Sequence, residues 1–135
     1  MGAPPGATER TRGFLASHEE LRAADLRRWV AGLGVRTIAA IQPRERVEVA
    51  GTVRSVTYAP SGSIEPLRAE LYDGTGSVEL RWTGRHEVHG ICPGRRLIAS
   101  GMVAAPEPTA SRCVLNNPRY TLLPGEHEQT GEIRR

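Results

Sequence analysis

Hydrophobic and polar residues alternate along the middle of this chain in five short runs, each bounded by glycine, proline or other turn-forming residues. Alternation with a period of two is typical of β-strands that bury one face. The predicted strands cover residues 46–57, 67–73, 77–83, 97–103 and 112–123. The sharpest turn signal is the Asp-Gly-Thr-Gly sequence at 73–76, which favours a tight hairpin between the second and third strands. The middle of the chain is therefore predicted to be mainly β.

The same alternation predicts which side chains face the core. One parity of the first four strands is apolar and supplies an inner set: Val47, Val49, Val53, Leu67, Ala69, Leu71, Val78, Leu80, Trp82, Leu97, Ala99, Gly101 and Val103. Gly51 is expected where the first strand bends, and Pro118 where the last strand is bent or interrupted. The predicted fold is a five-stranded Greek-key barrel of the OB type. It has an N-terminal α-helix and a short connector helix between strands three and four, within residues 85–94.

The segment before the barrel carries a helix signal. Ser17 followed by Glu20 fits a capping box, which predicts that a helix begins there. An apolar stripe at helical spacing follows and consists of Leu26, Trp29, Val30 and Leu33. We expect this helix to pack on the barrel through that stripe.

Length and composition suit one domain with appendages, since the chain has 135 residues of which 39% are hydrophobic. Residues 1–13 are predicted to be a flexible tail and residues 14–43 a helical element. Residues 44–123 are predicted to form the OB-fold barrel, and residues 124–135 a disordered C-terminal tail.

Charge changes this picture only slightly. All 18 basic residues are arginine, and the predicted barrel carries 10 arginines against 8 acidic residues, an excess of 2. Such a balance permits an anionic partner but lacks the concentrated basic stripe of a strong phosphate binder. Any binding to nucleic acid is therefore expected to be weak and sensitive to salt.

Compartment and redox state follow from two further observations. The sequence has no run of 18 apolar residues, and its first residues lack the apolar core of a signal peptide. We therefore expect a cytoplasmic protein. Cys92 and Cys113 are the only two cysteines, and we expect both to be reduced thiols.

Several of these segments resemble known OB domains. The residues that carry the resemblance are 47–53 (VEVAGTV), 71–76 (LYDGTG), 93–94 (PG) and 101–103 (GMV), and they look like the nucleic-acid-binding OB domains of the tRNA-anticodon type. Residues 33–38 (LGVRTI), 43–46 (PRER) and 117–120 (NPRY) are similar to the wedge domain of RecG-type branch-migrating helicases. The chain also looks like small standalone actinobacterial OB-fold proteins.

The resemblance implies a module that binds single-stranded or branched DNA, or RNA, without the motor domains of a helicase. OB domains commonly bind through strands two and three and the flanking loops. Single strands need cations along the backbone path and exposed rings on which bases stack. By parity and position, the candidate residues for this face are Arg54, Tyr58, Arg68, Tyr72, Arg81 and Arg112.

A structural interpretation competes with the functional one at each of these positions. Glu70 and Glu79 are predicted to point the same way as the arginines, so cross-strand ion pairs would neutralise much of the positive charge. Trp29 and Trp82 are expected to pack rather than bind. Tyr120 either closes the end of the barrel or lies in the groove.

A metal site and an active site are the other chemical alternatives. His86, His89 and Cys92 are spaced three apart, and Cys113 could approach them from strand five. Four such ligands could hold zinc, but H-x2-H-x2-C is not a common zinc spacing, and we expect neither a metal nor another cofactor. Cys92 and His89 lack an identifiable third residue for catalysis, and we expect no enzyme.

Two functions from different classes remain. One is a small, non-catalytic OB module that binds nucleic acid weakly and without sequence specificity. The alternative is a protein–protein interaction adaptor that uses the barrel and the N-terminal helix. For the adaptor, the contact surface is predicted to be marked by outward apolar residues on strands four and five, namely Ile98, Met102 or Val114.

Overall fold

A computed structural model describes residues 7–85 and 88–124 of the chain, with side chains described from residue 17 onward. It contains one long helix, α1 (Ala7–Ala31), and a 3-10 turn at Ile38–Ala40. The strands are β1 (Arg46–Thr57), β2 (Leu67–Tyr72), β3 (Ser77–Trp82), β4 (Arg96–Met102), β5 (Cys113–Asn116) and β6 (Arg119–Leu123). The predicted N-terminal tail lies partly, at residues 1–6, outside the described residues. The C-terminal tail lies outside them from residue 125 onward. No described helix is long and apolar enough to cross a membrane.

The six strands form one curled, mixed sheet in the order β5-β3-β2-β1-β4-β6. The long central strand β1 pairs with β4 through its first half and with β2 through its second half. Gly51 lies between the two halves, where a Cβ atom would be only 2.3 Å from the carbonyl oxygen of Tyr72. The predicted role of Gly51 at the bend is therefore explained by this close approach of two strands.

The last predicted strand is two strands, because the chain breaks it at Asn117 and Pro118. Asn117 has a positive φ of 49°, and proline has no amide to donate to a neighbouring strand. The first part, β5, pairs in parallel with β3, while β6 pairs antiparallel with β4. One further bridge joins Val103, just after β4, to Leu115. The two parts thus reach opposite edges of the sheet.

The concave side of the sheet holds the core that the alternation predicts. Every apolar member of the predicted inner set is buried except Gly101, which is half-buried, and Leu115 adds to it from β5. Trp82 is a core residue, as expected, and its indole Nε1 donates a hydrogen bond to the carbonyl of Pro118 at 3.2 Å. Hydrophobic parity therefore found the part of the core that the first four strands supply, while Ile38 and Ile41 add to it from the segment before β1.

The connector between β3 and β4 is not confirmed as a helix. Its described residues, 83–85 and 88–95, form turns and irregular backbone, and residues 86–87 lie outside the described part. Val88 and Ile91 are nevertheless buried in the main core. The connector therefore contributes apolar side chains to one end of the sheet without helical geometry there. Tyr120 fixes it in place, donating a hydrogen bond from Oη to the carbonyl of His89 at 2.8 Å.

Helix α1 begins at Ala7, ten residues before the start predicted from the capping box. Ser17 therefore lies inside the helix and caps nothing. Alanine, arginine, glutamate and leucine make up most of residues 7–16, and extending an existing helix through good helix formers costs little. Near its end, the helix packs through Leu26 and Val30 on Ala50 of β1, outside the sheet.

The hairpin turn after β2 is built around a buried carboxylate. Asp73 is 1% exposed. Its Oδ1 accepts hydrogen bonds from the Thr75 amide (2.8 Å), the Thr75 hydroxyl (2.5 Å) and the Gly76 amide (3.1 Å). Its Oδ2 accepts one from the Ile38 amide at 2.9 Å. One side chain therefore holds the hairpin and joins it to the 3-10 turn before β1.

Candidate nucleic-acid interface

The convex side of β1, β2 and β3, together with the loops at its margins, contains the residues predicted to bind nucleic acid. We call it the β1–β2–β3 face. Glu70 pairs with Ser55 of β1 on one side and with Glu79 of β3 on the other. In the next row, Arg68 lies directly opposite Arg81. The face therefore has one acidic row beside one basic row.

Glu70 is the centre of the first group of ion pairs. Its carboxylate lies 3.6 Å from Arg54 Nη1 and 3.2 Å from Arg112 Nη1, and it accepts a hydrogen bond from the Ser77 hydroxyl at 2.8 Å. Burial by itself raises the pKa of Glu70. The hydrogen bonds from Ser77 and Arg112 and the charges of both arginines outweigh burial and lower that pKa below its usual value. Glu70 is therefore a well-stabilised anion between two predicted binding arginines.

Arg81 is the centre of the second group. Its guanidinium pairs with Glu79 on the same strand and, at 3.1 Å, with Glu107 in the loop after β4. The hydrogen bond with Glu79 is the main cause of the raised pKa of Arg81. Burial lowers this pKa, and the hydrogen bond with Glu107 raises it further. The structure thus favours ion pairing on the face, which was the structural alternative for Arg81.

These two groups also fasten the loop between β4 and β5 onto the sheet. Glu107 and Arg112, at the middle and the end of that loop, pair with Arg81 and Glu70 respectively. Both contacts are ionic and partly exposed, so each stabilises the loop by about 0–1 kcal/mol. Glu107 was missed in the sequence because nothing in a proline-rich loop indicates which strand it crosses.

Arg68 and Tyr58 are two predicted residues that the structure leaves open to solvent. Arg68 is exposed, and within the described part of the chain no acidic group pairs with it. Tyr58 is 58% exposed in the loop between β1 and β2. A guanidinium facing water and an open phenol ring are the groups that contact phosphates and stack on bases. The two residues lie at the same margin of the face.

Tyr72 is half-buried, because α1 covers one side of it. Its ring packs against the cluster formed by Leu26, Val30 and Ala50. The guanidinium of Arg54 lies 3.5 Å from the ring centroid on another side. Arg54 is the extra residue of a bulge in β1, which explains why it can reach over the ring. The ring is thus a platform for an arginine rather than an open surface for a base.

The four metal candidates do not form a centre that the structure describes. His86 lies outside the described residues. His89 and Cys92 are exposed, and Cys113 is half-buried on β5. Among the described residues, no group of three or more histidine, cysteine or acidic side chains could hold a metal ion.

The surface predicted for a protein adaptor is largely covered. Ile98 is half-buried under α1, and Val114 is 4% exposed. Only Met102, at 45%, is exposed among the three predicted marker residues. The prediction failed for Ile98 because the helix packs on the convex side of β4. It failed for Val114 because the loop after β4 folds back over β5, where the Ala104 amide donates to the Val114 carbonyl.

No protein-family model matches the chain, and no curated protein matches it. Part of the solved structure of RecG bound to a three-way DNA junction is similar, with 24% sequence identity and a TM-score of 0.48. The alignment covers 65% of this chain but only 12% of the RecG chain. A likeness of this size carries no argument about function.

Proposed function

We propose that this protein is a small OB-type module that binds single-stranded or branched nucleic acid through the β1–β2–β3 face. The observation that carries the proposal is the placement of four arginines on one convex surface: Arg54, Arg68, Arg81 and Arg112. Tyr58 adds an exposed ring at the margin of this surface, and the ring of Tyr72 holds the Arg54 guanidinium. Guanidinium groups with neighbouring rings suit a flexible, anionic strand that carries bases.

The strand pairing supports the OB interpretation of the fold. If β5 and β6 are counted as one strand broken at Pro118, that strand pairs with both β3 and β4. The remaining pairs run β3-β2-β1-β4. A five-stranded Greek-key barrel of the OB type has this order of neighbours, and its usual binding surface is the one chosen here.

Binding is proposed to be weak and independent of sequence. Arg54, Arg81 and Arg112 already pair with glutamates, so each phosphate contact must displace or share an existing ion pair. Phosphate contacts of this kind position a strand but carry no sequence information. We propose further that the module is non-catalytic and acts in the cytoplasm without a cofactor.

The test is fluorescence anisotropy of labelled single-stranded DNA and RNA 20-mers, and of a branched DNA, between low and moderate salt. The wild-type protein should bind with a salt dependence of a few phosphate contacts. The double variant Arg68→Glu, Arg81→Glu should lose retention. Because it places new carboxylates beside Glu79 and Glu107, its melting temperature should fall, and the titrations are run well below that temperature, where the variant is folded. The matched control is Arg46→Glu, Arg119→Glu, which changes the charge equally at two exposed arginines away from this face.

Two results would contradict the proposal. Absence of binding at low salt would remove the nucleic-acid function. Equal loss of binding in both double variants would show that net charge, rather than this face, holds the strand.

A protein–protein adaptor is the second candidate, and one observation favours it. A groove of about 240 Å³ lies beside the loop between β4 and β5 and is lined mainly by apolar atoms, including those of Pro43, Pro106 and Cys113. The adaptor predicts a complex that is insensitive to salt and to competing polynucleotide. Its contact should be lost on Ala105→Glu, a change at an exposed residue that lines the groove. A complex that dissolves in moderate salt would argue against it.

A further inference from the structure

A second arginine is stacked on an aromatic ring outside the β1–β2–β3 face. The guanidinium of Arg96, on β4, lies 4.5 Å from the ring centroid of Trp29 on α1. Both side chains are half-buried. The sequence predicted Trp29 only as part of the packing stripe, and a stripe of apolar positions gives no indication of which polar residue will cover its edge.

This pair lies next to the pair formed by Arg54 and Tyr72. Thr52 of β1 pairs with Arg96 on one side and with Tyr72 on the other, so those two residues are two strands apart, or roughly 10 Å. Trp29 and Tyr72 also pack against the same apolar cluster beneath α1. The two arginines are therefore stacked on rings that pack against one shared apolar cluster.

Stacking on a ring prepares an arginine to bind phosphate. A guanidinium carries its five N–H donors in its own plane, while its face can lie on an aromatic ring. The ring restrains the side chain without itself engaging those in-plane donors, so a phosphate can share or exchange with the other contacts that Arg96 makes. Loss of side-chain freedom on binding is then smaller than for an arginine that moves freely in water. Leu26 and Val30 anchor this end of α1, which holds the Trp29 ring in place.

We propose that Arg96, held on Trp29, is a phosphate subsite for the same strand that the β1–β2–β3 face binds. This inference rests on the proposed function. It extends that function by giving the nucleic-acid strand a path beyond the β1–β2–β3 face. The nucleic-acid strand leaves the β1–β2–β3 face near Arg54 and Tyr72 and passes over Thr52 of β1. It then reaches Arg96 beside α1. The N-terminal helix is thereby part of the nucleic-acid interface.

The test compares Arg96→Gln with Arg46→Gln in the same anisotropy titrations. Both changes remove one positive charge from the convex side of the sheet, but Arg46 is exposed at the start of β1, opposite Met102 at the other end of β4 from Arg96. Arg96→Gln should weaken binding about tenfold and reduce the salt slope by about 1, the loss of one phosphate contact. Arg46→Gln should leave the salt slope unchanged.

A second measurement uses the two tryptophans of the chain. Trp82 is 3% exposed in the core, whereas Trp29 lies under the proposed subsite, so a bound strand should alter the emission of Trp29 alone. The change should occur in the wild-type protein and disappear in Trp29→Phe, which keeps a ring for Arg96. This readout remains informative if Arg96→Gln proves unstable.

The outcomes separate the two proposals. If the wild-type protein binds the strand and both Arg96→Gln and Arg46→Gln show the same salt slope as the wild-type protein, the proposed subsite is wrong and the proposed function stands. A change in emission that persists in Trp29→Phe also overturns the subsite. If the wild-type protein binds no strand at low salt, the proposed function itself fails.

Discussion

Asp73 and Glu70 lie three residues apart at the end of one hairpin, but their carboxylates bind different kinds of group. Asp73 is 1% exposed and accepts hydrogen bonds from backbone amides and one hydroxyl. The Glu70 side chain is 21% exposed and pairs with arginine side chains. Amides are fixed by the fold, whereas guanidinium groups on the surface can exchange one anion for another. Asp73 therefore stabilises the backbone of the hairpin, whereas Glu70 holds arginine side chains in place at the surface.

The largest expected effect comes from Asp73→Ala. The change leaves the amides of Ile38, Thr75 and Gly76 without their acceptor at a buried position, and the free energy of unfolding should fall by about 3 kcal/mol. Asp73→Asn keeps one carbonyl oxygen as acceptor and should cost less. Urea denaturation at 25 °C measures both. A loss below about 1 kcal/mol for Asp73→Ala would show that water replaces these bonds.

A smaller effect is expected at the next residue of the same turn. Gly74 has a φ of 90°, and a Cβ atom there would lie 2.5 Å from the carbonyl oxygen of Ala23 on α1. Gly74→Ala should therefore cost about 1 kcal/mol for the backbone conformation and a further 1–2 kcal/mol for displacing the helix. Gly84→Ala is the matched control, because Gly84 has a φ of 77° and nothing within 4 Å.

The difference between the two alanine variants, again by urea denaturation, measures how firmly α1 is docked on the hairpin. Equal losses would mean that the helix yields without cost. In that case the apolar cluster against which Trp29 and Tyr72 pack would hold α1 on the sheet less firmly than its burial indicates.

Glu107→Gln changes binding more than stability. Glu107 pairs with Arg81 at the surface, so its loss should cost less than about 0.5 kcal/mol of folding free energy. Removing one of its two competing anions leaves only Glu79 paired with Arg81, and affinity for a single strand should rise about twofold to threefold. Glu48→Gln removes the same charge from the exposed β1 position opposite Ser100 and serves as control. An equal gain in both variants would indicate a general charge effect only.

Much of the fold could be predicted because hydrophobic parity is a local signal. The first strand, Arg46–Thr57, agrees with the prediction at both ends, and the second and third agree within one residue. The division of the last strand was harder, since a proline can bend a strand or break it. Helix α1 was predicted too short because a capping box is a local signal that a longer run of helix formers can override.

The candidate site was less accessible to sequence reasoning because its contacts are long-range. Parity correctly placed Arg68 and Arg81 on one side, but which glutamate pairs with which arginine depends on strand register and loop path. The pairing of Arg96 with Trp29 joins a strand to a helix that lies 67 positions earlier in the chain. No local pattern contains that information.

The smallest expected effect is a pH dependence carried by Glu70. Its pKa is lowered from 4.5 in the folded protein, so its ion pairs stabilise the fold fully above about pH 4.5. This contribution is lost as the pH falls below 4.5 and the folded carboxylate takes up a proton. Glu45 has a lowered pKa as well, through its hydrogen bond with Arg36, and acts in the same pH range.

The part due to Glu70 is therefore isolated by subtracting the melting temperature of Glu70→Gln from that of the wild-type protein. The difference should be positive at pH 7 and shrink as the pH falls below 4.5. A difference that stays constant over this range would mean that Glu70 stabilises the fold through its shape and hydrogen bonds rather than its charge, and the contrast with Asp73 would then disappear.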